Sequence, residues 1–279
     1  MTLSISDYVN EAPSSNSMGS DHSFLVEIDL PCPIDAYVDY SRSLLAYGTE
    51  EKLQENEHLG GLLLLGAVSA AEAYFRSILS LTLEACPISR ENAAEKQINL
   101  GGVLWHGHAE FRRSAFEHLT FCSKDDIKKA AKGYLRFELK DSSFKGPLEQ
   151  YDLVCHLRHG IVHNAGILPG RNAVQIGAKN YKKPVRIAVG FATLQKSIEA
   201  IDSLVLTFNR ELFDEMCRRW AIEWRKKLDW DPSIEDKIFN KIWKIYFCRK
   251  LHGTRQGKSS ITRAKCLSEV KERYDLLNI

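Results

Sequence analysis

From Leu62 to Leu83 the chain is apolar on nearly every side of a helical projection, and such a helix is stable in water only when other elements cover it all round. The helical pattern begins near Glu50, so the sequence predicts a long central helix wrapped by amphipathic ones. The longest apolar run, Leu59 to Ala71, is short for a bilayer crossing, and Glu72 and Arg76 follow on the same helix, which predicts burial in protein with no membrane contact. At 279 residues the chain can bury a full core without a disulfide scaffold. Its seven cysteines, at 32, 86, 122, 155, 217, 248 and 266, form no C-x-x-C pair and are expected as free thiols in a reducing compartment. The start Met1-Thr2-Leu3-Ser4 has no basic stretch followed by an apolar one, so the expected location is cytoplasmic.

The remaining segments fit a mainly α fold, an antiparallel helical bundle. Residues 1–23 are Ser-, Asn- and Asp-rich and are expected as a flexible lead-in. Phe24, Val26, Ile28 and Leu30 alternate with polar residues and predict a short strand. Ile34 to Leu45 recurs at helical spacing before Gly48, and further helices are expected over 103–121, 127–138, 147–164 and 194–220. Ser123 with Asp126 suggests a capping box. Ala173–Ile176 and Val185–Phe191 are expected to form a small β-hairpin insertion.

Charge is distributed unevenly. The net charge is +2, yet residues 218–279 hold 16 Lys/Arg against 8 Asp/Glu, leaving 22 against 28 upstream. We therefore expect 221–279 to be a basic helical C-terminal extension. Within it Trp243, Lys244, Arg249, Lys250, Arg255 and Lys258 interleave rings with cations and are candidate RNA-binding residues. The competing expectation is that the rings pack on the body and the cations are solvated.

The segment Leu157-Arg158-His159-Gly160-Ile161-Val162-His163 carries the strongest chemical signal. Leu148, Tyr151, Val154, Cys155, Ile161 and Val162 share one arc of their helix, and Arg158 projects from its middle. A guanidinium on an apolar stripe calls for an anionic partner, an interface or a ligand. Glu72, the one acidic residue deep in the central helix, is expected to orient it, either within the subunit or across an interface. Arg113 and His118 repeat the R-x4-H spacing but lack that apolar setting.

This pattern resembles the HEPN superfamily (higher eukaryotes and prokaryotes nucleotide-binding), whose ribonuclease members carry an Arg and, four to six residues later, a His near the end of a bundle helix. The resemblance spans roughly residues 50–220 and implies that 24–220 is an HEPN-like domain dimerising through the motif helix. Many members have Asn directly after the Arg, where this chain has His159, and the hairpin is an insertion. The resemblance implies Arg158 and His163 as catalytic residues, with Glu72 and His159 supporting them. It further implies a homodimer, an RNA substrate, an antitoxin or sensor partner, and a role as a toxin or antiviral effector.

The chemistry implied is cleavage of RNA without metal or cofactor. An imidazole takes the proton from a ribose 2′-hydroxyl, its symmetry mate protonates the leaving 5′-oxygen, and Arg158 holds the phosphate. The products carry 2′,3′-cyclic phosphate and 5′-hydroxyl ends. Two alternatives remain open. One is a catalytically inactive helical protein- or RNA-binding module. The other is a divalent-metal site on the row Asp152, His156, His159 and His163, although no HExxH or cysteine cluster accompanies it.

Overall fold

The structure, a computed structural model, describes residues 23–179, 181–227, 229–252 and 261–276. Residues 1–22 of the expected 1–23 lead-in, together with Arg255 and Lys258, lie outside the described residues. Residues 24–30 are exposed and form no strand; an alternating run needs a neighbouring ladder to become one. From Pro31 onward the chain forms one compact unit.

That unit is mainly helical. Helix α1 (Pro33–Tyr47) starts on a proline, and α2 (Glu50–Glu55) is capped by Thr49, whose side chain accepts from the Lys52 amide. Helix α3 (Leu59–Ala85) runs through the centre and packs against α1 and the later helices α4 (Pro87–Asn92), α7 (Lys124–Leu135), α8 (Asp141–His163), α10 (Phe191–Arg218) and α11 (Glu235–Tyr246). Among the described residues α3 is the only helix long and apolar enough to cross a membrane, and most of that surface is buried against its neighbours. The helix runs on past its uninterrupted apolar stretch, while the helical pattern expected from Glu50 is broken at 56–58, between α2 and α3.

The expected helix over 103–121 is broken. Helix α5 (Leu100–Glu110) bends at Gly107, which adopts a left-handed φ of 66°, and a single 3₁₀ turn leads into α6 (Ser114–Glu117). The Ser123 capping box forms as expected: Ser123 Oγ accepts from the Asp126 amide at 3.1 Å and donates to Asp126 Oδ2 at 2.6 Å. Helix α8 begins at Asp141, so Pro147 sits inside it, with no amide to offer the preceding turn.

The expected β-hairpin does not form among the described residues. Positions 170–175 are helix α9 (Gly170–Gln175), started by Pro169 with its fixed φ. The segment after it instead pairs with 166–168: Leu168 N donates to Val185 O at 2.9 Å and Ile187 N to Gly166 O at 2.8 Å, making one isolated antiparallel bridge. Ala165 and Gly166 take left-handed φ values of 49° and 85°, which turns the chain back over the end of α8.

The core is knit by aromatic contacts. Phe75 of α3 stacks on Phe121 and meets Phe208 of α10 edge-on, and Phe208 in turn meets Phe137 and Phe144. The C-terminal region belongs to this core, since Trp220, Phe239 and Ile242 are fully buried. After α11 come α12 (Arg249–His252) and α13 (Arg263–Arg273). Several of the cations there are paired with acids. Arg263 pairs with Asp236 (2.6 Å), Lys271 with Glu235 (2.5 Å), Arg273 with Asp214 (2.8 Å), Lys227 with Glu91 (2.5 Å) and Lys241 with Glu84 (2.5 Å).

Candidate functional site

Helix α8 is anchored by Leu148, Tyr151, Val154 and Cys155, all buried against α3 and α10. The apolar arc then runs out: Ile161 is half-buried and Val162 is exposed. Arg158 falls at that transition and is half-buried, at the edge of a cleft of about 260 Å³ lined by Cys122, Cys155, His156, His159, Arg171 and Asn172. Neither Arg158 nor Arg171 makes a hydrogen bond or ion pair with any described residue. Two uncompensated guanidiniums on one small cleft suit an anion, because each presents a fork of N–H donors with no acceptor.

Arg171 carries no motif signal in the sequence. It reaches the cleft because the turn at 164–169 folds α9 back onto α8. Asn172 secures that return: its Nδ2 donates to His156 Nδ1 at 3.1 Å and to the His156 carbonyl at 3.3 Å. A neutral His156 so bonded carries its proton on Nε2, which faces Asp152 Oδ2 at 3.9 Å. Asp152 is otherwise occupied, accepting from the Lys124 amide at 3.1 Å and pairing with Lys124 Nζ at 3.4 Å.

His159 and His163 are both exposed, with ring centroids 4.7 Å apart. Desolvation first, then the charges of His163, Arg158, His156 and Arg171, hold the His159 pKa below the ordinary histidine value. His163 ends α8 and does not line the Arg158 cleft.

Glu72 is placed elsewhere in the network than the sequence predicts. Its carboxylate accepts from the Phe121 amide at 3.1 Å and pairs with Arg76 Nη2 at 3.3 Å, and it makes no ion pair with Arg158. Arg76 sits one turn along the same helix and reaches the carboxylate first; it also donates to Leu119 O at 3.1 Å. Within the subunit Glu72 therefore holds the 119–121 segment beside the cleft and does not pair with the guanidinium.

The row Asp152, His156, His159 and His163 divides into two pairs, Asp152 with His156 and His159 with His163. Among the described residues no group of three or more His, Cys, Asp or Glu side chains is placed to hold a metal ion. The other R-x4-H pair lies apart on the α5–α6 corner, Arg113 in the 3₁₀ turn and His118 at the end of α6. His106 pairs there with Glu117.

Of the candidate RNA-binding residues, Trp243, Lys244 and Arg249 line one hollow of about 440 Å³ with Phe247 and Asp35. Lys250 is not among them, since it pairs with Asp39 at 3.0 Å. The Trp243 ring stacks on Phe247, with centroids 4.3 Å apart. Compared with models of known protein families, with curated proteins and with solved structures, the chain gives no match.

Proposed function

We propose that this chain is a metal-independent endoribonuclease of the HEPN type, active as a homodimer whose paired α8 helices bring Arg158 and His163 around one phosphodiester. The observation that carries this reading is the pair of uncompensated guanidiniums, Arg158 and Arg171, on a cleft beside the histidine-bearing end of α8. A phosphate is the anion that matches such forks, through bidentate, charge-assisted hydrogen bonds. His163 of the same copy does not line this cleft, so in this reading the cleft of one copy takes an imidazole from the partner. The exposed Val162, one turn beyond Arg158 on α8, supplies apolar contact for such a seam.

In this reading a neutral His163 accepts the proton of a ribose 2′-hydroxyl, and the freed oxygen attacks the adjacent phosphorus. The bond to the 5′-oxygen breaks, and the symmetry-related imidazolium protonates that oxygen as it leaves. Arg158 and Arg171 stabilise the charge gathering on the phosphoryl oxygens. DNA has no 2′-hydroxyl and resists this route. The hollow at Trp243, Lys244 and Arg249 serves as a second contact for the strand. A role as a toxin or antiviral effector, restrained by an antitoxin or sensor protein, is the setting in which such an enzyme fits.

The test is RNA cleavage in EDTA. The wild-type protein is expected to leave 2′,3′-cyclic phosphate ends, and Arg158→Ala and His163→Ala, both folded and dimeric, are expected to abolish them. Undiminished cleavage by His163→Ala, or a wild-type protein that sediments as a monomer while cutting RNA, would refute the dimeric site. A folded wild-type dimer that cuts no RNA class would favour the inactive binding module.

A further inference from the structure

Two thiols line the Arg158 cleft. Cys122 lies in the turn before α7 and Cys155 in the middle of α8, and both line the same cleft as free cysteines. Two hydrogen bonds lay the turn along α8 on either side of Cys122. The Tyr151 hydroxyl donates to the Phe121 carbonyl at 2.9 Å, and the Lys124 amide donates to Asp152 Oδ1 at 3.1 Å. Tyr151 precedes Cys155 by one helical turn on the same face, so this register sets Cys122 against Cys155. Glu72 and the Phe75 ring hold Phe121 from the other side, so the juxtaposition is built into the core.

The two thiols are unlike each other. Cys155 is buried, whereas Cys122 is half-buried and opens to the cleft. Contact with the Cys155 thiol lowers the Cys122 pKa, with burial and Glu72 opposing and Arg158 assisting. The same contact, followed by burial, raises Cys155 well above the ordinary thiol value. Cys32, Cys217, Cys248 and Cys266 are each raised chiefly by burial. A partly exposed thiol that ionises readily beside a guanidinium is the reactive kind, and a second thiol within reach can resolve it.

We propose that Cys122 and Cys155 form a redox-modification site, in which a hydroperoxide oxidises Cys122 and Cys155 resolves it as a reversible disulfide beside the cleft. The Cys122 thiolate attacks one oxygen of hydrogen peroxide, the O–O bond breaks, and the released hydroxide takes a proton to become water. The Cys155 sulfur then attacks the sulfenic sulfur, and the expelled hydroxide leaves as a second water with the Cys155 proton. Two thiols lose two electrons and the peroxide gains them. This site stands independently of the ribonuclease reading, since neither step uses RNA or His163.

The test uses the full-length protein treated with hydrogen peroxide under native conditions, alkylated, digested and analysed by mass spectrometry. The expected product is a cross-linked peptide pair joining Cys122 and Cys155, lighter by two hydrogens, abolished by dithiothreitol, with the other five cysteines still alkylated. In Cys155→Ala the cross-link is lost, and Cys122 instead accumulates as sulfenic and then sulfinic acid. The proposal is overturned if the wild-type Cys122 over-oxidises while Cys155 stays alkylated, or if both remain fully alkylated. It is equally overturned if peroxide joins another pair first. Because the decisive readout is the wild-type peptide map, a variant that folds poorly does not remove the test.

Discussion

The Glu72 carboxylate, buried in the central helix with 7% of its surface exposed, accepts a hydrogen bond from the backbone amide of Phe121 at 3.1 Å. That contact positions the turn bearing Cys122, and Arg158 has no anionic partner among the described residues. Replacing Glu72 by Leu strands the Phe121 amide and frees Arg76 from its pair. We expect a loss of about 1–3 kcal/mol in folding stability, the cost of an unsatisfied buried donor, read by chemical denaturation. Glu72→Gln keeps an acceptor in place and is expected to cost less. Equal losses in the two variants would show that the charge pair with Arg76, and not the amide, sets the role of this side chain.

Arg158 tests the opposite case, a cation that the fold does not use. It is half-buried yet bonded to no described group, so removing its charge breaks no internal contact. Arg158→Met keeps much of the aliphatic volume and is expected to leave thermal stability unchanged or raise it by about 1 kcal/mol, while abolishing RNA cleavage. A large fall in melting temperature would make Arg158 a structural residue and remove the main support for an anion site.

The depressed titration of His159 yields a pH prediction. A histidine whose pKa is lower folded than unfolded takes up a proton on unfolding. Its contribution therefore weakens the fold as pH drops from about 6.5, the unperturbed value, toward the lower folded one. His163 follows desolvation among the causes of the shift. In His163→Ala the His159 midpoint is expected to move up toward the ordinary value, followed by NMR of the imidazole ring protons. A midpoint that stays put would mean that the 4.7 Å ring contact does not persist in solution.

The sequence made the skeleton legible and the site only half so. The all-round apolar pattern at Leu62–Leu83 identified the core helix, and Ser123 with Asp126 marked the start of α7, because both signals are local. The break at Gly107 and the helix at Gly170–Gln175 were not legible, since a short apolar run is settled by what packs on it. Glu72 illustrates the same limit. Its burial could be read from its position in α3, but Arg76 one turn away competes for it, and the Phe121 amide arrives from a segment 49 residues on. Arg158 was visible as a charge in an apolar arc, whereas the placing of Arg171 and the Cys122–Cys155 pair arises only once α9 and the 119–123 turn fold back onto α8.

Two adjacent glycines at the start of α3 should respond oppositely to the same change. A Cβ on Gly60 would lie 1.8 Å from the Val189 carbonyl oxygen, a backbone atom that cannot rotate away. A Cβ on Gly61 would meet Ile161 at 3.6 Å, ordinary contact. Gly60→Ala is therefore expected to cost about 2–3 kcal/mol by forcing 185–189 off the helix. Gly61→Ala is expected to gain about 0.5 kcal/mol from reduced chain entropy in the unfolded state. Thermal melts of the two single variants decide this, and a neutral Gly60→Ala would place the Val189 segment farther from α3 than described.

The C-terminal region cannot be tested by removing it. Deleting 232–279 strips Phe239, Ile242, Ile245 and Tyr246 from the core, together with the pairs from Lys271 and Arg225 to Glu235. The truncated chain is expected to unfold and would report nothing about RNA. The informative change is the double substitution Lys244→Glu with Arg249→Glu, two exposed cations of the Trp243 hollow that pair with no described acid. If single-stranded RNA crosses this hollow, losing two phosphate contacts should flatten the slope of log affinity against log salt by about 1.4 and weaken binding at low salt. Charge-reversed protein that keeps its melting temperature and the wild-type slope would leave Trp243 and Phe247 as packing alone, and confine RNA contact to the Arg158 face.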